Sequence, residues 1–462
     1  MELSKISHAA QRKAFELALS AALKKNGKGR GKGYTEIVDA IEKVLGDAWK
    51  PEAYNKLRRA VSDEGKWKQY FDNLLDNTDP DYLKGMIMSI LYEGAFSGFR
   101  ATRKTGEELG MSIPWIILFD PTSSCNLHCE GCWASEYGKT LNLSAEDMDD
   151  LVSQGKELGI HEYLMTGGEP LCRKKDVIEL ALKHQDCGFM IFTNGTLVDQ
   201  AFCEDLKRCK NIILILSIEG FSKATDARRG KGVFAKVTEA MGLMKRNGIL
   251  YGTSICYTRD NIEAVTSDDF YDFLIDMGVS FSWYFHYMPV GNNAAPELMP
   301  TPEQRKYMYN RIRKVRSLEG GKPIFLMDFQ NDAEFVGGCV AGGRIYCHVN
   351  PNGDVEPCVF IHYSGANIHD KTLRECLAQP LFSAYRKNQP FNKNMLHPCP
   401  MLENPQILRE LVDITGARST DMLSEETCDH LCGKCDAYAI EWKPVAEELW
   451  KQKKDKVHAG DS

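Results

Sequence analysis

Apolar residues recur at helical spacing near 8–25, 35–47, 52–75 and 80–103, so residues 1–112 read as a helical N-terminal region. From about residue 114 the pattern changes to short β-rich runs alternating with helical stretches, six times over. The predicted strands are Trp115–Thr122, Tyr163–Glu169, Gly188–Asn194, Ile212–Ile218, Leu250–Tyr257 and Phe281–Met288. The helices between and after them fall near 144–158, 174–186, 199–208, 233–247, 265–277 and 302–317. This alternation predicts an α/β fold, a parallel sheet with helices outside it. Six units over 113–319 make a partial (β/α)6 TIM-like barrel, with chemistry expected at the carboxyl ends of its strands. After about 320 the rhythm is lost. Residues 320–440 are rich in Gly, Pro, Cys and His, with short strands at Arg344–Val349 and Asp354–Phe360. A final helix is expected over 436–455, within a C-terminal helix and tail at 441–462.

Composition narrows the class. The chain has 462 residues, 43% hydrophobic and 26% charged, and a net charge of −7, which gives no pull toward nucleic acid. No apolar run is long enough to span a membrane and the start Met1-Glu2-Leu3-Ser4-Lys5 lacks an apolar core, so a cytoplasmic protein is expected. Through residue 33 there are eight Lys/Arg against two Glu, around Gly27-Lys28-Gly29-Arg30-Gly31-Lys32-Gly33. That segment is not a P-loop. It reads as a solvated loop, the alternative being a peripheral contact with an anionic membrane surface.

The 16 cysteines are the signal that composition leaves unexplained. In a large chain without an export signal, clustered cysteines read as metal or cluster ligands. Three lie in Cys125-Asn-Leu-His-Cys129-Glu-Gly-Cys132, directly after the first strand, and three in Cys428-Asp-His-Leu-Cys432-Gly-Lys-Cys435. Cys339, Cys347, Cys358 and Cys399 lie between these groups. Cys172, Cys187, Cys203, Cys209, Cys256 and Cys376 are scattered and read as small buried hydrophobes. Three thiolates converging from one loop would hold three irons of a cubane and leave the fourth open to a further molecule. Zinc is the competing reading of that spacing.

The order of motifs goes further. Cys125-x3-Cys129-x2-Cys132 followed by Trp133, Thr166-Gly167-Gly168-Glu169-Pro170, Thr193-Asn194-Gly195, Ser217-Ile218-Glu219-Gly220, Asp226-Ala-Arg-Arg229 and Met288-Pro289-Val290-Gly291 fall at consecutive strand ends. Over roughly 114–300 the chain thereby resembles the radical S-adenosylmethionine (SAM) superfamily. The resemblance implies a [4Fe–4S] cluster on Cys125, Cys129 and Cys132, with Trp133 near the adenine. It implies that Gly167, Gly168 and Glu169 receive the methionine amino group, which suits glycines that admit a close backbone and a carboxylate that pairs with an ammonium. Thr193, Asn194, Ser217 and Glu219 would meet the methionine and ribose portions, Arg229 the methionine carboxylate (with Arg228 competing), and Pro289 the adenine. The implied reaction is one-electron cleavage of SAM, with the 5′-deoxyadenosyl radical abstracting hydrogen from a substrate C–H bond. That requires a low-potential electron donor of flavodoxin or ferredoxin type and anaerobic conditions.

Cys339, Gly353 and Cys358 resemble the Cys…Gly-x4-Cys opening of SPASM and twitch domains, which implies an auxiliary [4Fe–4S] cluster in 320–440. The turn Asn350-Pro-Asn-Gly-Asp354 would bring the two thiols together. Cys339, Cys358, Cys399 and Cys435 are the expected ligands, with Cys347, Cys428 and Cys432 as replacements or parts of a second cluster. Structural zinc is again the competing reading, with His348, His362, His369, His397 and His430 available as nitrogen ligands. The full SPASM cysteine block is absent. Two substrates fit an enzyme of this kind. One is a peptide or protein, although no winged-helix pattern appears in 1–112. The other is a lipid, suggested by Asp120-Pro121-Thr122, the basic N-terminus and the apolar Met86–Tyr92 stretch. A non-catalytic iron–sulfur electron carrier or scaffold is the reading from another class. Tyr284, Phe285, His286 and Tyr287 end the sixth strand and face either the substrate or the core. No residue is assigned a catalytic role.

Overall fold

The structure is a computed structural model that describes residues 8–23, 34–36, 38, 39, 42, 51–62, 65–318 and 321–458. The glycine-rich basic loop at 27–33 and most of the segment near 35–47 lie outside the described residues.

One nine-stranded sheet organises the molecule. In chain order its strands are β1 (Ile116–Phe119), β2 (Glu162–Met165), β3 (Gly188–Thr193), β4 (Ile212–Ser217), β5 (Tyr251–Tyr257), β6 (Phe281–His286), β7 (Phe325–Asp328), β8 (Tyr346–Val349) and β9 (Val355–Glu356). Their spatial order is β7-β6-β5-β4-β3-β2-β1-β8-β9. Strands β1 to β7 run parallel, β8 joins β1 in parallel with Phe119 opposite Val349, and β9 returns antiparallel with His348 opposite Glu356. The six expected strands are present. The sheet also takes β7 and β8 from the region expected to stand apart after 320, so the C-terminal segment extends the barrel sheet on both edges.

Alternation along the strands separates two cores. Ile117, Phe119, Tyr163, Met165, Ile191 and Tyr284 pack outward under the helices. Leu118, Leu164, Tyr287 and Met288 join a second core shared with the C-terminal segment. The layer of helices is set by ordinary start signals. Ser144 with Asp147 and Thr301 with Gln304 form capping boxes at Ala145–Glu157 and Pro302–Arg316.

Several sequence expectations are corrected. The helix expected over 52–75 is two helices, Pro51–Ser62 and Lys66–Asn77, with Gly65 extended ahead of the second. The 80–103 segment is helix Pro80–Met86, π-helix Ile87–Gly98 and helix Phe99–Leu109. The π-helix lies tight on β2, where a Cβ on Gly94 would overlap the Glu162 carboxyl group. Met86 is buried in the core under the sheet, and Met88 and Tyr92 are buried in a separate cluster with Phe15 and Leu19 of helix His8–Leu23, so the apolar stretch is core and not a presented surface. The strand expected over 354–360 stops at Glu356, because Pro357 offers no N–H to the ladder. The last helix begins at Cys428 and runs unbroken to His458, so the expected boundary at 440/441 falls inside it. No described helix is long and apolar enough to cross a membrane.

Candidate active site

Cys125, Cys129 and Cys132 stand on the loop that leaves β1, and the end of β2 is laced to that loop. Gly168 N donates to Thr122 O at 2.9 Å and Glu169 N to Ser124 O at 2.8 Å. Gly168 is needed there, since a Cβ would stand 2.5 Å from Ser123 O. From later strand ends, Asn194 Nδ2 donates to Asn126 Oδ1 at 2.8 Å and Glu130 N to Arg228 O at 2.9 Å.

The three cysteines open on a solvent-connected cavity at the carboxyl ends of the strands. Trp133, Gly167, Gly168 and Glu169 line it, as do Thr193, Asn194, Ser217, Arg228 and Arg229. Pro289 and Glu219 do not; the neighbouring Met288 does. Glu219 lies beneath the wall, fully buried, and its Oε1 takes Arg228 Nη1 at 2.6 Å and Arg229 Nη2 at 2.5 Å. Arg229 Nη1 also comes within 3.9 Å of Cys129 Sγ. Asp226 faces away, accepting from Gly232 N and Phe234 N at the start of helix Val233–Arg246.

Glu169 braces two strand ends. Its Oε1 accepts from Thr193 Oγ1 at 2.6 Å and Leu171 N at 3.0 Å, and its Oε2 from Asn194 N at 2.7 Å. Burial raises its pKa against these donors. Burial also pushes Cys125 up to about 11 and raises Cys132, which the guanidiniums of Arg228 and Arg229 pull back down. Cys125 and Cys132 therefore keep their protons at neutral pH until a metal displaces them, and the nearby guanidiniums favour the Cys132 thiolate. This donor set fits an iron–sulfur cluster bound through one loop.

Behind Trp133 lies a buried polar network that sequence reading missed. The indole is edge-on to His348 at 5.8 Å and to His362 at 6.1 Å between centroids. His348 is held between Asp120, at 3.1 Å from Nε2, and Glu356, at 2.6 Å from Nδ1. Glu356 also accepts from Tyr137 OH, Asn350 Nδ2 and Thr420 Oγ1. Asp120 comes from the barrel and Glu356 from the C-terminal segment, and no local motif signals a pairing between residues so distant in sequence.

A second thiol-rich space lies in the C-terminal core. Cys339, Cys358 and Cys399 are near enough that a charge on one raises the others, and burial pushes Cys339 up to about 11 and Cys358 up to about 12. The Asn350–Asp354 turn forms as expected, with Gly353 at φ +87° and Asn350 Oδ1 accepting from Asn352 N and Asp354 N. Tyr385 is fully buried beside Cys339, Cys358, Cys399 and Cys432, and its hydroxyl has no hydrogen-bond partner. An orphaned hydroxyl among four thiols suits a site that takes an inorganic cluster with acceptor sulfurs. Cys435 sits one turn on along the same helix, also buried, and Cys428 Sγ lies 3.8 Å from Cys432 Sγ. Cys347 points the other way, into the helix-side core with Cys376.

Two family profiles match the chain. The Radical SAM superfamily covers residues 119–274, and the SPASM iron–sulfur cluster-binding domain covers 339–401. This is a radical SAM enzyme with a SPASM domain.

Curated relatives of this radical SAM enzyme include the AdoMet-dependent heme synthase of Oleidesulfovibrio alaskensis, 25% identical over 65% of this chain and 81% of that one. They also include the mycofactocin maturase MftC of Mycolicibacterium smegmatis, 27% identical over 58% of this chain and 68% of that one. In structure it is similar to Streptococcus suis SuiB, solved with S-adenosylmethionine bound, with TM-score 0.54, 18% identity and coverage of 80% and 87% of the two chains. At that identity the likeness speaks to the fold.

The radical SAM cavity also holds residues the sequence reading did not single out. Ser254 and Cys256 share the inward face of β5, and Phe192 and Phe360 line the cavity too. Cys256 is therefore a wall residue, correcting its reading as buried filler, and burial pushes it up to about 11. Cys187, Cys203, Cys209 and Cys376 are buried fillers, whereas Cys172 is exposed. At the end of β6, Tyr284 belongs to the core while Phe285, His286 and Tyr287 line the cavity.

Proposed function

We propose that this radical SAM enzyme modifies a peptide or protein by abstracting hydrogen from one of its C–H bonds. The observation that supports this most is that the Cys125–Cys132 loop, the Gly-Gly-Glu strand end and the Thr193-Asn194 strand end meet in a single cavity, backed by a second thiol-rich site in the SPASM domain. Cys125, Cys129 and Cys132 hold the SAM-binding [4Fe–4S] cluster, and Cys339, Cys358 and Cys399 hold an auxiliary cluster, with Cys432 or Cys435 as its fourth ligand. Once bound and reduced by a flavodoxin- or ferredoxin-type donor, such a cluster would supply the one electron that splits SAM into methionine and a 5′-deoxyadenosyl radical. The chain's own residues do the rest. Gly167 and Gly168 admit the methionine amino group to the β2 end, where Glu169 supplies negative charge. Arg229, held by Glu219, faces the methionine carboxylate, and Ser217 and Asn194 offer polar contacts to the ribose side. Trp133, fixed by His348 and His362, covers the adenine, with Met288 beside it. Closing this space keeps water from the radical.

Peptide chemistry is favoured because a relative, the PqqA peptide cyclase of Gluconobacter oxydans, is named for such a substrate. The lipid reading loses its support where Met86–Tyr92 is core and Asp120 serves His348. The test is deuterium transfer: anaerobic turnover with a deuterated candidate peptide should place deuterium in 5′-deoxyadenosine. Deuterium-free product from a peptide that is nevertheless modified would refute direct hydrogen abstraction.

A further inference from the structure

On β6 the residues facing outward are fully covered: Ser282 and Tyr284 are 0% exposed. The residues facing inward, Trp283 and Phe285, are only half-buried, although they stand inside the barrel. Phe192 on β3 and Phe329 after β7 are half-buried in the same way. These four rings form one continuous wall. Trp283 and Phe285 stack at 5.5 Å between centroids, Phe192 lies 5.8 Å from Trp283 and 6.0 Å from Phe285, and Phe329 lies 5.3 Å from Phe285. Phe192 and Phe285 open directly on the cysteine-lined cavity. Apolar rings left half-covered inside a barrel mark a surface that an apolar ligand completes.

The charged side chains that line the cavity are Glu169, Arg228 and Arg229, and on the reading above Glu169 and Arg229 are committed to SAM. Arg228 and Arg229 bind Glu219, and Glu169 accepts three hydrogen bonds. His286 has both ring nitrogens engaged, Nδ1 with Tyr287 O at 2.7 Å and Nε2 with Tyr438 OH at 2.9 Å. Apart from these and the engaged His286, the side chains that line the cavity carry no carboxylate or basic group.

We infer that the substrate group presented to the radical is an uncharged aromatic side chain of the peptide, seated against Trp283, Phe285, Phe192 and Phe329. This rests on the peptide reading above and narrows it. Rings pack against rings in stacked and edge-on arrangements that a saturated chain does not reproduce. A polycarboxylate tetrapyrrole would leave its charges unpaired in an apolar pocket.

The test uses the full-length, cluster-loaded protein with SAM and three probes: N-acetyl-tyrosinamide, N-acetyl-leucinamide and coproporphyrin III. Binding is read by ligand-observed NMR. The tyrosine probe should bind about five-fold tighter than the leucine probe. Trp283→Leu and Phe285→Leu, which keep apolar bulk, should each erase that preference, while Ile440→Ala on an exposed helix face should leave it intact. Equal binding of the two amides, tightest binding of coproporphyrin, or a preference that survives both ring substitutions would overturn the inference. SAM cleavage in the same samples separates the two levels. Protein that cleaves SAM without an aromatic preference loses only this inference, and protein that does not cleave SAM loses the functional reading.

Discussion

Arg305 and Glu403 form an ion pair at 2.7 Å in which both side chains are fully buried. Arg305 comes from helix Pro302–Arg316 of the barrel, where its guanidinium lies 4.2 Å from the Trp442 ring centre. Glu403 follows the Cys399 loop and accepts the Cys399 N–H at 2.7 Å. The pair therefore fixes the SPASM thiol loop to the barrel and to the last helix at one point.

Removing one partner leaves the other charged and without compensation. Arg305→Met should lower unfolding stability by about 3–5 kcal/mol, read from the urea midpoint. Glu403→Gln, which keeps an acceptor for Cys399 N–H, should cost less. The double variant Arg305→Met with Glu403→Gln should recover part of the Arg305→Met loss. Additive losses would show that the two side chains act independently.

Three buried histidines give stability a pH optimum. Burial opposes a charged His348, yet Asp120 and Glu356 outweigh it and lift it from 6.5 to about 10. Its stabilisation is full below 6.5 and is lost as pH rises through about 10. Burial and the nearby Arg305 lower His286 to about 3 and His397 to about 4, so their neutral forms favour folding above 6.5 and penalise it as pH falls below that value. Urea midpoints from about pH 5 to about pH 10 should rise and then fall. His348→Gln should flatten the alkaline limb, and His286→Gln should reduce the acid limb.

Iron content separates the two thiol sites. Reconstituted wild type should hold about eight irons, about four per [4Fe–4S] cluster. Removing Cys339, Cys358 and Cys399 together should leave about half, with SAM binding retained. A wild-type count near four would remove the auxiliary cluster from the account.

Much of the barrel was legible because Ile212–Ser217 and Tyr251–Tyr257 are dense β-formers bounded by helical patterns. The motifs at strand ends were legible because each lies within a few residues of its strand. The pairing of β8 with β1 was not, since Tyr346 meets Ile116 across a separation that no local pattern encodes. For the same reason the Asp120–His348–Glu356 contact stayed hidden. The last helix was expected only from 436 and not from Cys428, because Gly433 and the ligand-like spacing of Cys428, Cys432 and Cys435 masked helical periodicity. The inward ring wall required strand parity: Phe285 faces the cavity only because Tyr284 faces the core. Pro289 was placed one residue beyond Met288, the residue that reaches the cavity.

The central claim is that Cys125, Cys129 and Cys132 hold the cluster that cleaves SAM in this cavity. Anaerobic incubation of reconstituted protein with SAM and a strong reductant, followed by chromatography for 5′-deoxyadenosine, tests it most directly. The account predicts 5′-deoxyadenosine from wild type and none from Cys129→Ala. No product from a wild type that retains its iron, or undiminished product from Cys129→Ala, would contradict it.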